Sequence, residues 1–199
     1  MTLNTRSCLP CTACCEGWLD VQGPVANAKL GLACQHCSNA GCDIYASRPI
    51  HPCRDFACAW RQQDTPLPDD MRPDVCGAIV MFDHLTWLGE GVIVAVATGT
   101  DMPQATFDWL QGLAALWQKN LLTLEFEQDS NGYTGGYQLR MLGPESFKQD
   151  MVAYFKRIDA QQLLRRRQEK VFQLHWARPV SLSVRHHPAA SASLLPSAR

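Results

Sequence analysis

Two apolar runs in the middle of the chain have the composition of neighbouring β-strands. Residues 75–82 and 92–98 are rich in β-branched and other apolar side chains, and the glycine-containing stretch 83–91 separates them. Farther on, apolar residues alternate with other residues at 122–126 and again at 137–141, with glycines between the two stretches. Runs of this kind separated by turn residues predict two antiparallel hairpins.

A helical pattern follows each predicted hairpin. From about Pro103 to Lys119, apolar residues recur on one face of a helix, and Asp101 with Gln104 has the spacing of an N-terminal capping box. After Gly143 and Pro144, apolar residues again recur at helical spacing through Ile158. The order ββαββα predicts an α+β fold, with helices packed on one face of a small antiparallel sheet.

The N-terminal part of the chain lacks this periodicity. Residues 1–62 are rich in Cys, Gly and Pro, so we predict an irregular cysteine-rich module that metal–thiolate bonds hold in shape. The α+β domain is expected at 74–160 and a basic helix at 161–178. The Ser-, Ala- and Pro-rich tail 179–199 is expected to be disordered.

The cysteines are concentrated in that module. Nine of the ten lie in the first 58 residues, beginning with the string Cys8-x-x-Cys11-x-x-Cys14-Cys15. A C-x-x-C pair lets two sulfurs turn toward one ion, as in zinc ribbons and iron–sulfur proteins. Cys14 and Cys15 are adjacent, and adjacent side chains usually point in different directions. We therefore expect them to serve two ions or to bridge within a cluster, so that more than one metal atom is bound.

Counting the thiols gives a candidate ligand set. Cys76 lies in an apolar run and is expected to be a small buried residue, whereas the role of Cys37 stays open. His36 and His51 are either ligands or ordinary hydrogen-bonding residues. Without Cys37 and Cys76, eight thiols remain, enough for two four-sulfur sites or one cluster and one zinc. They are Cys8, Cys11, Cys14, Cys15, Cys34, Cys42, Cys53 and Cys58.

Other residues of the module are candidates for the surroundings of the metal. Arg48, Arg54 and Arg61 lie close in sequence to predicted ligands, and N–H···S bonds from them would offset the negative charge of the thiolates. Ordinary surface arginines are the alternative. Aromatic side chains are expected to keep water from the sulfurs: Trp18, Tyr45, Phe56 and Trp60. A disulfide framework is the alternative to metal binding, and it would require export.

Four phrases of the module resemble the CxxCxxCC family, also called the YkgJ-type cysteine cluster, a zinc- or iron-chelating domain. They are CLPCTACC at 8–15, GCDIYASRP at 41–49, CRDF at 53–56 and CAW at 58–60. The resemblance implies chelation by Cys8, Cys11, Cys14, Cys15, Cys42 and Cys53, with Cys34 and Cys58 as further members. It also implies a structural or functional role for Tyr45, Arg48 and Arg54. The chain departs from the pattern in His51-Pro52, which fills the gap before Cys53, and in the additional Cys37.

Composition limits the remaining function classes. The net charge of −1 gives no case for nucleic acid as an obligatory partner, and no apolar run reaches 18 residues. Because no secretory signal precedes the cysteines, we expect a cytoplasmic protein. We predict a protein that binds zinc or iron, with a mainly structural or chelating role and an unidentified protein or small-molecule partner. The alternative is an iron–sulfur or iron-dependent oxidoreductase or transferase, with its cleft between module and sheet.

Overall fold

The computed structural model describes residues 6–38, 40–62, 64–129, 132–169 and 180–182. In chain order, the strands and helices are β1 and β2 (Cys37–Ser38 and Gly41–Cys42), α1 (Pro73–Cys76), β3 (Ala78–Trp87), β4 (Glu90–Ala97), α2 (Gln104–Trp117), β5 (Leu121–Asp129), β6 (Gly132–Leu142), α3 (Glu145–Glu169) and β7 (Val180–Leu182). The predicted order ββαββα is confirmed for β3 through α3. The protein therefore has a mixed architecture of helices and sheet, as an α+β fold requires.

The main sheet has the strand order β6-β5-β4-β3-β7. The two hairpins are antiparallel as predicted, with Val80 opposite Ala95 in one and Leu124 opposite Leu139 in the other. Between the hairpins, however, β4 and β5 are parallel, and β7 is parallel to β3. The prediction of a purely antiparallel sheet is wrong, because α2 carries the chain back across the sheet so that β5 starts beside the start of β4.

The two long helices contact opposite faces of the sheet. In β6, the ring of Tyr137 packs against Phe155 of α3 at a centroid distance of 5.5 Å. Three residues later, the Arg140 guanidinium lies 4.1 Å above the ring of Phe107 in α2. Side chains alternate between faces along a strand, so residues separated by three positions point to opposite sides. The prediction that both helices lie on one face is therefore wrong, and the sheet is the middle layer of three.

Two predicted element boundaries also differ from the structure. The first strand begins at Ala78 instead of residue 75, because α1 occupies the preceding positions and ends at Gly77 in the left-handed conformation (φ 72°). Helix α2 has Pro103 at its N-cap and no capping side chain, so the predicted capping box of Asp101 and Gln104 is wrong. Pro103 instead accepts a backbone hydrogen bond from Phe107 through its carbonyl oxygen.

The C-terminal predictions fall only partly on described residues. Helix α3 runs without a break to Glu169 and so includes the start of the basic helix predicted at 161–178. Residues 170–178 lie outside the described part of the chain. In the tail predicted to be disordered, Val180–Leu182 form strand β7, and the rest of the tail also lies outside the described residues.

The core is formed mainly by the central strands and α3. Residues 92–97 of β4 are buried continuously, and Phe147, Met151 and Phe155 of α3 are buried with them. The same cluster of buried side chains continues into the N-terminal segment through Leu19 and Trp60. Among the described residues, no helix is both long enough and apolar enough to cross a membrane.

Residues 6–62, here called the cysteine segment, contain only short elements. A two-stranded ladder joins β1 to β2, and single helical turns are formed by Ala13–Cys15, Tyr45–Ser47, Ile50–Arg54 and Ala59–Arg61. The last turn contacts β3, which places the end of the segment against the sheet. The irregular structure that the sequence predicts for this segment is confirmed.

Candidate metal centre

A cavity of about 90 Å³ lies within the cysteine segment, and thiols form much of its wall. Seven of the ten cysteines line it: Cys8, Cys11, Cys14, Cys15, Cys42, Cys53 and Cys58. All seven belong to the predicted ligand set. The eighth predicted ligand, Cys34, is buried behind Cys15 and donates its backbone N–H to the Cys15 carbonyl oxygen at 2.7 Å. All ten cysteines are free thiols, so the structure contains no disulfide framework.

Cys11, Cys14 and Cys58 form one group on this wall. Cys58 is buried where the chain enters the turn Ala59–Arg61, and Cys11 and Cys14 pack against the same hydrophobic cluster. The Cys14 thiol donates a hydrogen bond to the Cys58 sulfur, which raises the pKa of Cys14 and lowers that of Cys58 to about 7. Burial raises the pKa of Cys11 to about 11. One thiol of this group is therefore much more acidic than the other two.

A second group surrounds Cys15. Cys37 lies directly opposite Cys42 in the β1–β2 ladder, and its backbone N–H donates to the Cys34 carbonyl oxygen at 2.9 Å. Burial first, and then the charges of Cys37, Cys34, Cys42 and Cys53, together raise the pKa of Cys15 to about 12. Burial likewise raises the pKa values of Cys37 and Cys53. These five thiols are close enough that ionising one opposes ionising the next.

Tyr45 and Arg48 connect the N-terminal string to this wall. The Tyr45 hydroxyl accepts the backbone N–H of Cys8 at 3.1 Å and lies 3.0 Å from Ser7 Oγ. The Arg48 guanidinium lies 3.8 Å above the Tyr45 ring and donates to the Tyr45 carbonyl oxygen at 3.2 Å. Both side chains line the cavity. Tyr45 therefore fixes the position of Cys8, beyond the apolar role that its sequence context suggests.

Two buried N–H donors on the cavity wall have no acceptor among the described residues. They are Arg48 Nε and Trp60 Nε1, and the Trp60 side chain as a whole is only 7% exposed. The Trp60 ring is flanked by the guanidinium groups of Arg6 at 4.9 Å and Arg72 at 6.0 Å. A buried donor without an acceptor is costly, and such atoms often mark the position of a missing anionic partner.

The other predicted residues lie in different surroundings. Arg61 lines the cavity, whereas Arg54 is outside its lining and donates to the Ala46 carbonyl oxygen at 3.1 Å. His36 Nε2 lies 3.2 Å from the Val25 carbonyl oxygen, and His51 lies 3.6 Å from Asp55. Neither histidine lines the cavity.

Cys76, the last residue of α1, does not line the cavity, although it lies close enough to Cys58 for the charge of that thiolate to add to the rise in its pKa that burial causes. Its burial is confirmed, and its S–H group faces the carbonyl oxygens of Met71 and Ala78 at 3.5 and 3.3 Å. This thiol is the natural control for the others, because it is buried and free without belonging to the cavity wall.

Two features of the site are absent from the sequence interpretation. Trp60 was expected to act only as an apolar shield, because no local pattern reveals whether an indole N–H finds an acceptor. The pairing of Cys37 with Cys42 does have a signal, since a short glycine-containing stretch between two residues is typical of a hairpin. That signal concerns only the backbone and gives no indication that Cys15, Cys34 and Cys53 belong to the same group.

The donor chemistry of the cavity fits a thiophilic metal, but the side chains have not converged on one point. Among the described residues, no three or more His, Cys, Asp and Glu side chains are arranged so that they could hold a metal ion. Burial raises the pKa values of Cys11 and Cys15, which favours neutral thiols that pack as small apolar groups. Only deprotonated thiols bind a metal.

Comparisons with protein-family models, with curated proteins and with solved structures found no match for this chain. The resemblance of its cysteine phrases to the CxxCxxCC family therefore stays a prediction.

Proposed function

We propose that this protein binds zinc or iron through the thiolates of the cysteine segment, and that the metal has a mainly structural or chelating role. The observation that carries the proposal is the cavity wall, which brings together seven of the eight predicted ligands from four separate stretches of chain. Thiols collected in this way from positions 8–15, 42, 53 and 58 are the donor set of zinc and iron–sulfur sites.

The surroundings of the thiols support the same proposal. Several deprotonated sulfurs in one half-buried cavity would repel one another. The pKa of Cys15 is raised mainly by burial and, beyond that, by the charges of neighbouring thiols. A bound cation supplies the positive charge that stabilises the thiolates. The unpaired N–H donors of Arg48 and Trp60 would then have sulfur acceptors, which satisfies two otherwise costly buried groups.

Binding requires movement of the side chains more than of the backbone. Backbone hydrogen bonds such as those of Cys34 to Cys15 and Cys37 to Cys34 already place the thiols near one another. A cysteine side chain has a single rotor, so the sulfurs converge by turning about their Cα–Cβ bonds. This number of free thiols also favours a reducing compartment, and we place the protein in the cytoplasm.

The test is metal analysis of untagged protein purified without oxygen, together with its absorption spectrum. We expect a stoichiometric amount of zinc or iron. Zinc protein is colourless, whereas an iron–sulfur centre is coloured, and a coloured protein with an open iron position would favour the enzyme alternative. Protein that contains no stoichiometric metal and forms S–S bonds among these cysteines would contradict the proposal.

A matched pair of variants separates ligation from burial. Cys58→Ala removes a buried thiol of the cavity wall, and Cys76→Ala removes a buried thiol outside it. We expect the metal content to fall in the Cys58 variant and to stay at the wild-type value in the Cys76 variant. Equal metal content in the two variants would remove Cys58 from the ligand set.

A further inference from the structure

The cysteines of the segment pack into two separate apolar clusters. Cys58 belongs to the main core of the protein, and Cys11 and Cys14 pack against that core. Cys34 belongs to a second, smaller cluster with Ala26 and Ala28. Cys15, Cys37 and Cys53 pack against this second cluster. The boundary between the two sets of thiols therefore passes between Cys14 and Cys15, which are neighbours in sequence.

The backbone explains why two adjacent cysteines separate. Ala13–Cys15 form a single 3₁₀ turn, closed by a hydrogen bond from the Cys15 N–H to the Thr12 carbonyl oxygen at 2.7 Å. With three residues per turn, consecutive side chains diverge by about 120°. On one side, the Cys14 thiol reaches the Cys58 sulfur. On the other, the Cys15 carbonyl holds the backbone of Cys34.

Cys37 belongs to the set around Cys15. It is the cross-strand partner of Cys42, and directly opposed residues have Cβ atoms about 5 Å apart. Two sulfurs on one zinc lie about 4 Å apart, given Zn–S bonds of about 2.3 Å. The β1–β2 hairpin thus presents two thiols at the spacing that a shared ion requires, and the Cys37 N–H bond to the Cys34 carbonyl brings a third one close.

We infer that the cysteine segment forms two distinct metal centres that meet at the Cys14–Cys15 peptide bond. One is held by Cys11, Cys14 and Cys58, and the other takes its thiolates from Cys15, Cys34, Cys37, Cys42 and Cys53. Cys8 also lines the cavity and is assigned to neither centre. The inference rests on the proposed metal binding, and it adds Cys37 to the residues that serve the second centre.

The first experiment counts bound zinc in the wild-type chain. Reduced, metal-free full-length protein is loaded with zinc alone, freed of excess and examined by native mass spectrometry. Two zinc ions for each chain are expected. One zinc ion would overturn the two-centre assignment while leaving metal binding intact. No bound zinc here, together with no stoichiometric zinc or iron in protein purified without oxygen, would instead overturn the proposed function. This count needs no variant, so it remains decisive if a variant fails to fold.

The second experiment compares the adjacent variants Cys14→Ser and Cys15→Ser, a matched pair with the same chemical change one residue apart. Each variant is expected to lose one of the two zinc ions. Alkylation of the zinc-loaded variants followed by peptide mass spectrometry then shows which thiols are unprotected. Cys11 and Cys58 should react in the Cys14 variant, whereas Cys34, Cys37, Cys42 and Cys53 should react in the Cys15 variant. Exposure of the same thiols in both variants would show one shared centre.

A third variant addresses the second centre without altering the crowded turn. Cys37→Ser changes one strand of the short hairpin, where the side chain is only partly buried. We expect it to raise the alkylation of Cys15, Cys34 and Cys42 at least tenfold while Cys11 and Cys58 stay protected. Unchanged protection of Cys15, Cys34 and Cys42 would exclude Cys37 from the centre, and full exposure of all the thiols would exclude the separation into two.

Discussion

The sheet and the cysteine segment are held together by different forces. In the sheet, backbone groups pair in long ladders, and the continuous burial of residues 92–97 removes a large apolar surface from water. In the cysteine segment, the ladder between β1 and β2 is only two residues long on each strand. The second apolar cluster has three buried members among the described residues, Ala26, Ala28 and Cys34. The part of the segment that packs on this second cluster buries little apolar surface and needs another source of stability, which the proposed metal would supply.

Removal of the metal should produce the largest difference in stability between the sheet and the cysteine segment. Chelation should raise amide hydrogen exchange by orders of magnitude between residues 22 and 55, because the small second cluster cannot hold that stretch alone. Trp60 and Ala59 belong to the main core and should keep their protection, as should β4 and β5. The measurement is hydrogen exchange followed by mass spectrometry, before and after chelation.

Restoring zinc is the control for that experiment, and it should return the slow exchange. If exchange in residues 22–55 is the same with and without metal, the segment is stable on its own and the contrast fails. If β4 and β5 also lose protection, the two regions depend on the metal equally.

A substitution in the core should destabilise the sheet to the same extent with and without metal. Phe147 of α3 is fully buried, and its ring packs against Trp87 at a centroid distance of 5.5 Å. Phe147→Ala should lower the free energy of unfolding by about 3–5 kcal/mol, from lost transfer energy and the cavity left behind. Urea unfolding measures this loss, which should be similar in metal-free and metal-loaded protein.

Leu116→Ala is the control for Phe147→Ala, because Leu116 is 78% exposed and lies on the other long helix. Its effect should stay within about 0.5 kcal/mol. A loss below about 1 kcal/mol for Phe147→Ala would show that α3 contributes little to the core.

The sequence predicts different kinds of features for the sheet and for the cysteine segment. The alternating and continuous apolar runs predict strands β3–β6, and the apolar residues at helical spacing predict α2 and α3, because each of these elements buries its apolar side chains in the core. The parallel pairing of β4 with β5 and the opposite positions of α2 and α3 depend on how α2 crosses the sheet, which local patterns do not encode. Likewise, spacing identifies the thiols, but the orientation of Cys14 toward Cys58 depends on a contact between residues far apart in sequence.

The pH dependence of stability gives a smaller test of the cysteine segment. Burial raises the pKa of Cys11 from 9.0 to about 11 and that of Cys15 to about 12, so the folded metal-free chain favours the protonated thiols. An acid whose pKa is raised by folding stabilises the protein below its unfolded pKa, and this stabilisation is lost as the pH rises. The metal-free protein should therefore lose stability above about pH 9.

Metal-loaded protein is the comparison for the pH experiment, because its metal-bound thiols are already deprotonated. It should show a smaller fall, since burial also raises the pKa of Cys76, outside the cavity wall, to about 11. Urea unfolding at about pH 9 and about pH 10.5 measures both forms. Below pH 9, the lowered pKa of Cys58 acts in the other direction, so the range above pH 9 is the informative one. An equal loss of stability in both forms would mean that the titrating groups lie outside the metal site.

The smallest expected effect concerns the N–H group of Trp60 on the cavity wall. Trp60→Phe keeps most of the buried ring and removes the N–H group that has no acceptor among the described residues. In metal-free protein, the cost of the smaller buried ring and the relief of the unpaired donor act in opposite directions, so the free energy of unfolding should change by less than about 1 kcal/mol. In metal-loaded protein, the same change removes a hydrogen bond to a thiolate, so metal affinity should fall about tenfold, corresponding to about 1.4 kcal/mol.

Trp117→Phe is the matched control, because it makes the same change on α2, where Trp117 packs against Phe82 away from the cavity. Competition with a chelator measures both affinities, and equal affinities would mean that the Trp60 N–H does not face the metal-bound sulfurs.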